Sequence, residues 1–297
     1  GTLAVSGTEA GAVVQYSANG TSGWSTTAPS LVQGANTVYV RQLDVAGNAG
    51  ASTSFTFTYD SVAPATTIAT ATFSADTGSS ATDLITKTAS QTVSGTLSAN
   101  LAAGETVRVS LDGGTTWQSA TTSQRNWSLS GVTLTGSSTL QVKVVDTAGN
   151  NGAVYSKAYV LDTQALAPTV ALVTDSGSSA VDKITNVGTL SVSGTEAGAL
   201  VQYSSDNVNW ATTAPALSQG ANTVYVRQTD IAGNVSASTA FTFTYDTQAP
   251  GVPTVALATD SGSSGTDKIT NVGTLAVSGT EAGAVVQYSA NGTSGWS

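Results

Sequence analysis

Hydrophobic residues recur at every second position over short runs of this chain. Leu140, Val142 and Val144 alternate with Gln141 and Lys143, the pattern of a half-buried strand. In "NTVYVRQ", Val38 and Val40 face inward and Tyr39 and Arg41 outward. "FTFTYD" sets Phe55, Phe57 and Tyr59 on one face and threonines on the other. Gly- and Asn-rich turns at Asp112, Asp206, Gln33 and Asp146 separate the runs. No stretch carries a helical period, so the pattern predicts an all-β protein.

The runs repeat at long range. "SGTEAGA" starts at Ser6, Ser193 and Ser278, "QGANTVYVRQ" at Gln33 and Gln219, and "D-x-A-G-N" at Asp44, Asp146 and Asp230. A Ser/Gly-rich loop opens at Asp76, Asp175 and Asp260, at spacings of 99 and 85 residues. About seven short strands per repeat is the immunoglobulin-like sandwich pattern. The chain therefore divides into four expected pieces. Residues 1–62 are the back part of one module, and 63–164 a complete, longer module. Residues 165–249 are a complete module and 250–297 the front part of another. In the third piece strand A falls near "PTVALVT", B near "TLSVSGT" and C near "ALVQYSS". Short C′ and E segments follow, then F at "NTVYVRQT" and G at "STAFTFTYD". Residues 1–25 recur identically as 273–297, so the expectation is a window on a longer array.

Composition removes several functions. Charged residues are 9 % of 297, with net charge −9, and Lys and Arg do not cluster, so no nucleic-acid partner is expected. There is no Cys and no His, which excludes disulfides, thiolate sites, imidazole bases and the usual zinc ligands. No apolar run approaches the roughly 18 residues of a membrane span. Cys-free, Thr/Ser/Gly-rich repeats suit a bacterial secreted protein. No signal peptide is visible, and the first residue falls inside a repeat, so the N-terminus of the natural chain is expected upstream.

The 18 acidic residues are the chemistry-bearing feature, and all but Asp112 and Asp206 occupy four recurring places. Each A–B loop holds a pair: Asp76 and Asp83, Asp175 and Asp182, Asp260 and Asp267. Glu9, Glu105, Glu196 and Glu281 follow strand B. Asp44, Asp146 and Asp230 end strand F, and Asp60, Asp162 and Asp246 end strand G. Sandwich topology puts the A–B loop and the end of G at the bottom of a module, and the B–C and F–G loops at its top. One expected convergent set is thus Asp76, Asp83 and Asp162 with Glu196 and Asp230, with Asn234 adding a carbonyl. A second is Asp175, Asp182 and Asp246 with Glu281. Converging carboxylates repel unless protonated or neutralised. Ca²⁺, which takes roughly 6–8 oxygen ligands in flexible geometry, is the expected cofactor, several per chain, with Mg²⁺ second. The bland alternative is that Asp and Asn here only form turns.

"APTVALVTDSGSSAVDKITN", "SVSGTEAGALV" and "VYVRQTDIAGNVSASTAFTFTYDTQAP" resemble the bacterial Ig-like domains of giant secreted adhesins, the biofilm-associated and RTX-type proteins exported by type I secretion. The resemblance runs through the whole chain. It implies a long extracellular stalk whose joints Ca²⁺ rigidifies. Carried over by position, Asp76, Asp83, Asp162, Asp175, Asp182, Asp230 and Asp246 are the implied ligands. The linker after Asp60, "SVAP", departs from "TQAP", and "TQALAP" after Asp162 is longer, so those joints are expected to bend differently. The expected partners are neighbouring modules of the same chain, identical chains in a fibre, and a host or abiotic surface reached through other regions. The rival reading has the modules themselves bind glycan or assemble laterally as a fibre or surface layer. Its support is the outward Tyr39 and Tyr225, where the longer module has Gln141; the equivalent placement of Trp24, Trp117, Trp210 and Trp296 suits a sugar-stacking platform, but packing across strands explains it better. An enzyme is not expected, because every candidate carboxylate pair recurs from module to module.

Overall fold

The computed structural model describes residues 3–297, and those residues form strands and no helix. Gly1 and Thr2, which begin the expected piece 1–62 and the terminal repeat, lie outside the described residues. The chain forms two compact units. The first runs to Gln164 and takes in the turn Asp230–Asn234; the second holds Ala165–Thr229 and Val235–Ser297.

The first unit begins with an antiparallel sheet of β1 (Val13–Ser17), β2 (Gly34–Leu43) and β3 (Thr53–Tyr59), in that order. A two-layer sandwich follows. Its strands are β4 (Ile68–Phe73), β5 (Ile85–Thr86), β6 (Ser90–Leu97), β7 (Thr106–Ser110), β8 (Gln118–Ser119), β9 (Thr121–Ser123), β10 (Asn126–Thr133), β11 (Ser138–Val145) and β12 (Tyr155–Leu161). One layer has the order β4-β6-β10-β9 and the other β5-β12-β11-β7-β8. The alternation seen in the sequence sets the register: Val142 lies opposite Val109 and Val144 opposite Val107, and all four are buried. Trp127 on β10 is 2 % exposed and lies opposite Gly95 on β6. A Cβ on Gly95 would stand 1.9 Å from the Thr70 carbonyl oxygen and 2.9 Å from the Trp127 ring, so glycine makes room for the indole. Phe73 and Tyr159 meet edge-on at 5.5 Å, and the Tyr159 hydroxyl donates to the Leu111 carbonyl at 2.8 Å.

The second unit contains a smaller sandwich: β13 (Thr169–Leu172), β14 (Ile184–Thr185), β15 (Leu190–Ser193), β16 (Leu200–Ser204), β17 (Gly220–Thr229) and β18 (Thr239–Tyr245). β13 pairs only with β15, and the other layer is β14-β18-β17-β16. Val170, Val224, Val226 and Phe243 form its buried core, packed by half-buried side chains such as Leu172, Tyr203, Leu217 and Phe241. A last hairpin, β19 (Thr254–Leu257) with β20 (Leu275–Ser278), follows.

Two details differ from the sequence reading. No C′ or E strand lies between β16 and β17; the segment 205–219 makes one bridge, Tyr203 to Ala211. That segment is much shorter than its counterpart 111–137 and carries Pro215, which has no N–H for a ladder. Each A–B loop of the two complete sandwiches also holds a short strand, β5 or β14, that leaves the first layer and runs parallel to β12 or β18.

Candidate functional site

The paired aspartates build the same loop three times. The first carboxylate closes it, accepting through Oδ2 from a backbone N–H eight residues on: Leu84 to Asp76 at 3.0 Å, Lys183 to Asp175 at 2.8 Å, Lys268 to Asp260 at 2.9 Å. The second accepts from the N–H two residues on, Ile85 to Asp83, Ile184 to Asp182 and Ile269 to Asp267, each at 3.0 Å. These bonds hold Leu84, Lys183 and Lys268 in the left-handed region, at φ 66°, 60° and 61°. Oδ1 of Asp76, Asp175 and Asp260 is buried with no hydrogen-bond partner in any copy. Burial pushes the Asp76 carboxyl up, and the neighbouring Asp83 charge adds to the effect. A buried carboxylate oxygen without a donor, beside a second carboxylate, is a donor set for a hard cation.

The F–G aspartates are held differently. Asp44, Asp146 and Asp230 each accept from the N–H of the asparagine four residues on at 2.8 Å through Oδ1, and from its Nδ2 at 2.7 to 2.8 Å through Oδ2. The bonds from Asn48 and Asn150 lower the pKa values of Asp44 and Asp146. Asn150 Nδ2 also donates to the Asp60 carbonyl at 3.1 Å, and Asn234 Nδ2 to the Asp162 carbonyl at 2.9 Å. Asn234 therefore presents its amide hydrogens where a carbonyl ligand was expected. The strand-G aspartates cap the linker that follows: Oδ1 of Asp60, Asp162 and Asp246 accepts from Val62, Gln164 and Gln248. Asp60 and Asp246 also accept from Gln33 and Gln219.

The glutamates after strand B sit in tight turns. The carbonyls of Glu9, Glu196 and Glu281 accept from the Ala12, Ala199 and Ala284 N–H groups at 3.1 Å, whereas the Glu105 N–H donates to the Ala102 carbonyl at 3.1 Å. The Glu105 carboxylate accepts from the Ala102 N–H at 2.9 Å, and the Glu196 carboxylate from the Leu166 N–H at 2.8 Å.

Among the described residues, one group of three acids offers oxygens all within 4.8 Å of one another: Asp162, Glu196 and Asp230. Asp230 is buried and the other two are half-buried. These are three of the five acids expected to converge. Asp76 and Asp83 close their own loop instead. The second expected set, Asp175, Asp182, Asp246 and Glu281, forms no such group among the described residues, and neither do Glu9, Asp44, Asp60, Glu105, Asp146, Asp260 and Asp267.

Sequence reasoning missed what surrounds the turn 230–234. The Thr77 hydroxyl donates to the Ala232 carbonyl and Lys87 Nζ to the Gly233 carbonyl, both at 2.6 Å. Gly78, at φ +90°, leaves room there, since a Cβ would stand 1.9 Å from the Ile231 carbonyl oxygen. A signal was present in the sequence. The equivalents of Thr77 and Lys87 are Ser176 and Asn186 in one copy and Ser261 and Asn271 in the other, and those pairs bond to each other.

Trp24, Trp117 and Trp210 are half-buried, each with a cation over its ring, and Trp296 is exposed. The Arg41 guanidinium lies 4.2 Å over Trp24, Lys143 3.9 Å over Trp117, and Arg227 4.1 Å over Trp210. Each ring is stacked by a cation from its own sheet, the geometry of cross-strand packing.

Known proteins bear on the fold. A family model described as "Bacterial Ig-like domain" matches residues 63–163 and 164–247. A search of curated proteins finds no match. Solved structures similar to the chain include fibronectin(III)-like modules of Clostridium thermocellum CbhA, at 15 % identity and TM-score 0.31, covering 60 % of this chain and 94 % of that one. Another is the BSP domain of a biofilm associated protein, at 16 % identity and TM-score 0.21, covering 73 % of this chain and 43 % of that one. Two adjacent family matches span more than half of an all-β chain built of two-layer sandwiches, and the chain belongs to the bacterial Ig-like domain family.

Proposed function

We propose that this chain is an extender segment of a large, repetitive bacterial surface adhesin, secreted and non-catalytic, which Ca²⁺ stiffens in the service of adhesion and biofilm formation. The observation that carries the reading is the carboxylate arrangement. Asp162, Glu196 and Asp230 bring three acidic oxygens within 4.8 Å, and three loops each hold a buried aspartate oxygen without a donor. Without a cation these groups repel or must take up protons. Ca²⁺ is the fitting ion, because backbone carbonyls and hydroxyls crowd both places and its coordination is tolerant. Asp162 and Asp230, with Glu196, would hold one ion; Asp76 with Asp83, and their counterparts Asp175 with Asp182 and Asp260 with Asp267, would hold others. Bound metal would supply charge neutralisation, and the Asn150 and Asn234 amides would keep the linker carbonyls in place beside it.

Membership in the Ig-like family supports a spacer. So does the absence of His and Cys from a chain whose acids recur in copies. The glycan-platform reading is weakened by Arg41, Lys143 and Arg227 covering three of the tryptophan rings.

Thermal unfolding in Ca²⁺ and in chelator tests the metal. An ion at about 100 times its Kd stabilises its site by about 2.7 kcal/mol, so the melting temperature should fall by several degrees on chelation. Asp230→Asn should remove most of the response assigned to the triad, and Asp76→Asn a separate part. Identical melts with and without chelator would defeat the proposal.

A further inference from the structure

The turn Asp230–Asn234 lies in the first compact unit, although the chain enters it from strand β17. One loop claims two consecutive carbonyls of this turn: the Thr77 hydroxyl donates to Ala232 and Lys87 Nζ to Gly233, both at 2.6 Å. The two backbones meet with no side chain between them. A Cβ on Gly78 would stand 1.9 Å from the Ile231 carbonyl oxygen, and one on Gly233 would stand 3.1 Å from the Gly78 nitrogen. Gly78 and Gly233 sit at φ +90° and +87°, so glycine serves both the conformation and the approach. Ala232 is 0 % exposed and Asp230 6 %.

Both pieces are braced before they touch. In the loop, the Lys87 N–H donates to Thr77 Oγ1 at 2.9 Å and the Leu84 N–H to Asp76 Oδ2 at 3.0 Å. In the turn, the Gly233 N–H donates to the Asp230 carbonyl at 3.2 Å and the Asn234 N–H to Asp230 Oδ1 at 2.8 Å. Two preformed surfaces lose little freedom on meeting. The gripping contacts use a hydroxyl, an ammonium and two carbonyls, with no carboxylate among them.

We infer that the loop from Asp76 to Lys87 is a socket for a glycine-centred turn, that Thr77, Gly78 and Lys87 give it its selectivity, and that it seats Asp230–Asn234 without metal. The partner it fits is narrow in chemistry: two consecutive backbone carbonyls, a side chain no larger than a methyl between them, and glycine at the point of closest approach. The other two loops keep the aspartates and the glycine but carry Ser176 with Asn186 and Ser261 with Asn271. There each serine hydroxyl donates to its own asparagine. A hydroxyl used in that way has no proton left for a carbonyl. The socket does not rest on Ca²⁺. It supplies what keeps Asp230 beside Asp162 while no ion is bound, and a bound ion would add to it.

The test is amide hydrogen exchange of the full chain in chelator, read at Gly233 and Asn234. Lys87→Met removes one donor from an exposed side chain, and Thr77→Ser with Lys87→Asn copies the chemistry of the other loops. Lys87→Met should speed exchange at these two amides by roughly three- to tenfold, the range of one net hydrogen bond, and the double change by more. Gly149 and Asn150, in the matching turn of the same unit, should keep their rates, which separates release of one turn from general loosening. Unchanged rates at Gly233 and Asn234 in both variants overturn the inference. So do rates that rise equally at Gly149 and Asn150. Adding Ca²⁺ should slow exchange further in wild type and variants alike; if it does nothing while Lys87→Met still speeds exchange, the proposed function fails and the socket stands.

Discussion

The long sandwich of β4 to β12 and the short one of β13 to β18 share a family and differ in how they hold together. The core cluster of the long one holds fifteen buried hydrophobic residues, Trp127 among them; that of the short one holds four. The difference begins with one strand. β10 closes the long sandwich and carries Trp127 into it, and the short segment 205–219 supplies no counterpart. A second difference follows on strand F. Where the long sandwich buries Val144, the short one buries Gln228, which is 0 % exposed. Gln228 Nε2 donates to the Leu166 carbonyl at 2.6 Å, and its Oε1 accepts from the Glu196 N–H at 2.8 Å. Polar bonds thus fix the linker and the B–C turn of the short sandwich where apolar packing does that work in the long one. Such bonds contribute about 0.5–1.5 kcal/mol net each, so the short sandwich has the smaller reserve. The acid Glu196 is held by this network through its backbone N–H, so a proposed Ca²⁺ ligand depends on the smaller sandwich.

The contrast can be broken at its strongest point first. Trp127→Ala should destabilise the long sandwich by about 3–5 kcal/mol and erase its advantage in a denaturant melt. Gly95→Ala should act at the same place by forcing strand β4 or the indole aside. Next, Gln228→Ala should cost the short sandwich about 1–3 kcal/mol, because the Glu196 N–H and Leu166 carbonyl lose their partner. It should also weaken Ca²⁺ binding measured calorimetrically, which Val144→Ala should not do. Asn150→Ala and Asn234→Ala should each cost about 0.5–1.5 kcal/mol, and hydrogen exchange should speed up in the F–G turn of the sandwich concerned.

Acid should have the smallest effect. The side chains of Asn48 and Asn150 hold the carboxyls of Asp44 and Asp146 below the usual aspartate range in the folded chain, because they favour the charged form. A depressed carboxylate contributes stability above its unfolded value and loses it as pH falls. The contribution should therefore be present above the ordinary aspartate range and fade as pH falls through and below it, and it should shrink in Asn48→Ala and Asn150→Ala, which lose the side-chain bond and keep the backbone one; a pH series of melts would read it.

The strands with clean alternation were legible. Leu140, Val142 and Val144 are buried as their spacing implied, and "FTFTYD" forms β3 and β18. The short strands β5 and β14 were not, since two residues cannot carry a period and their pairing with strand G is long-range. The absence of strand E from the short sandwich was hidden too, because loop length limits pairing without marking which residues fail to pair. For the acids, topology anticipated the approach of Asp162, Glu196 and Asp230. It could not separate them from Asp76 and Asp83, whose fate depends on a local contest: the Leu84 and Ile85 N–H groups claim those carboxylates within their own loop. Thr77 and Lys87 escaped notice because the pattern of copies drew attention to what repeats, and these two contacts rest on what does not.

Small-angle scattering of the chain in Ca²⁺ and then in excess chelator tests the central claim most directly. The account predicts that chelation lowers the maximum dimension and broadens the distance distribution, and that restoring Ca²⁺ reverses both. Superimposable curves in the two conditions would contradict it.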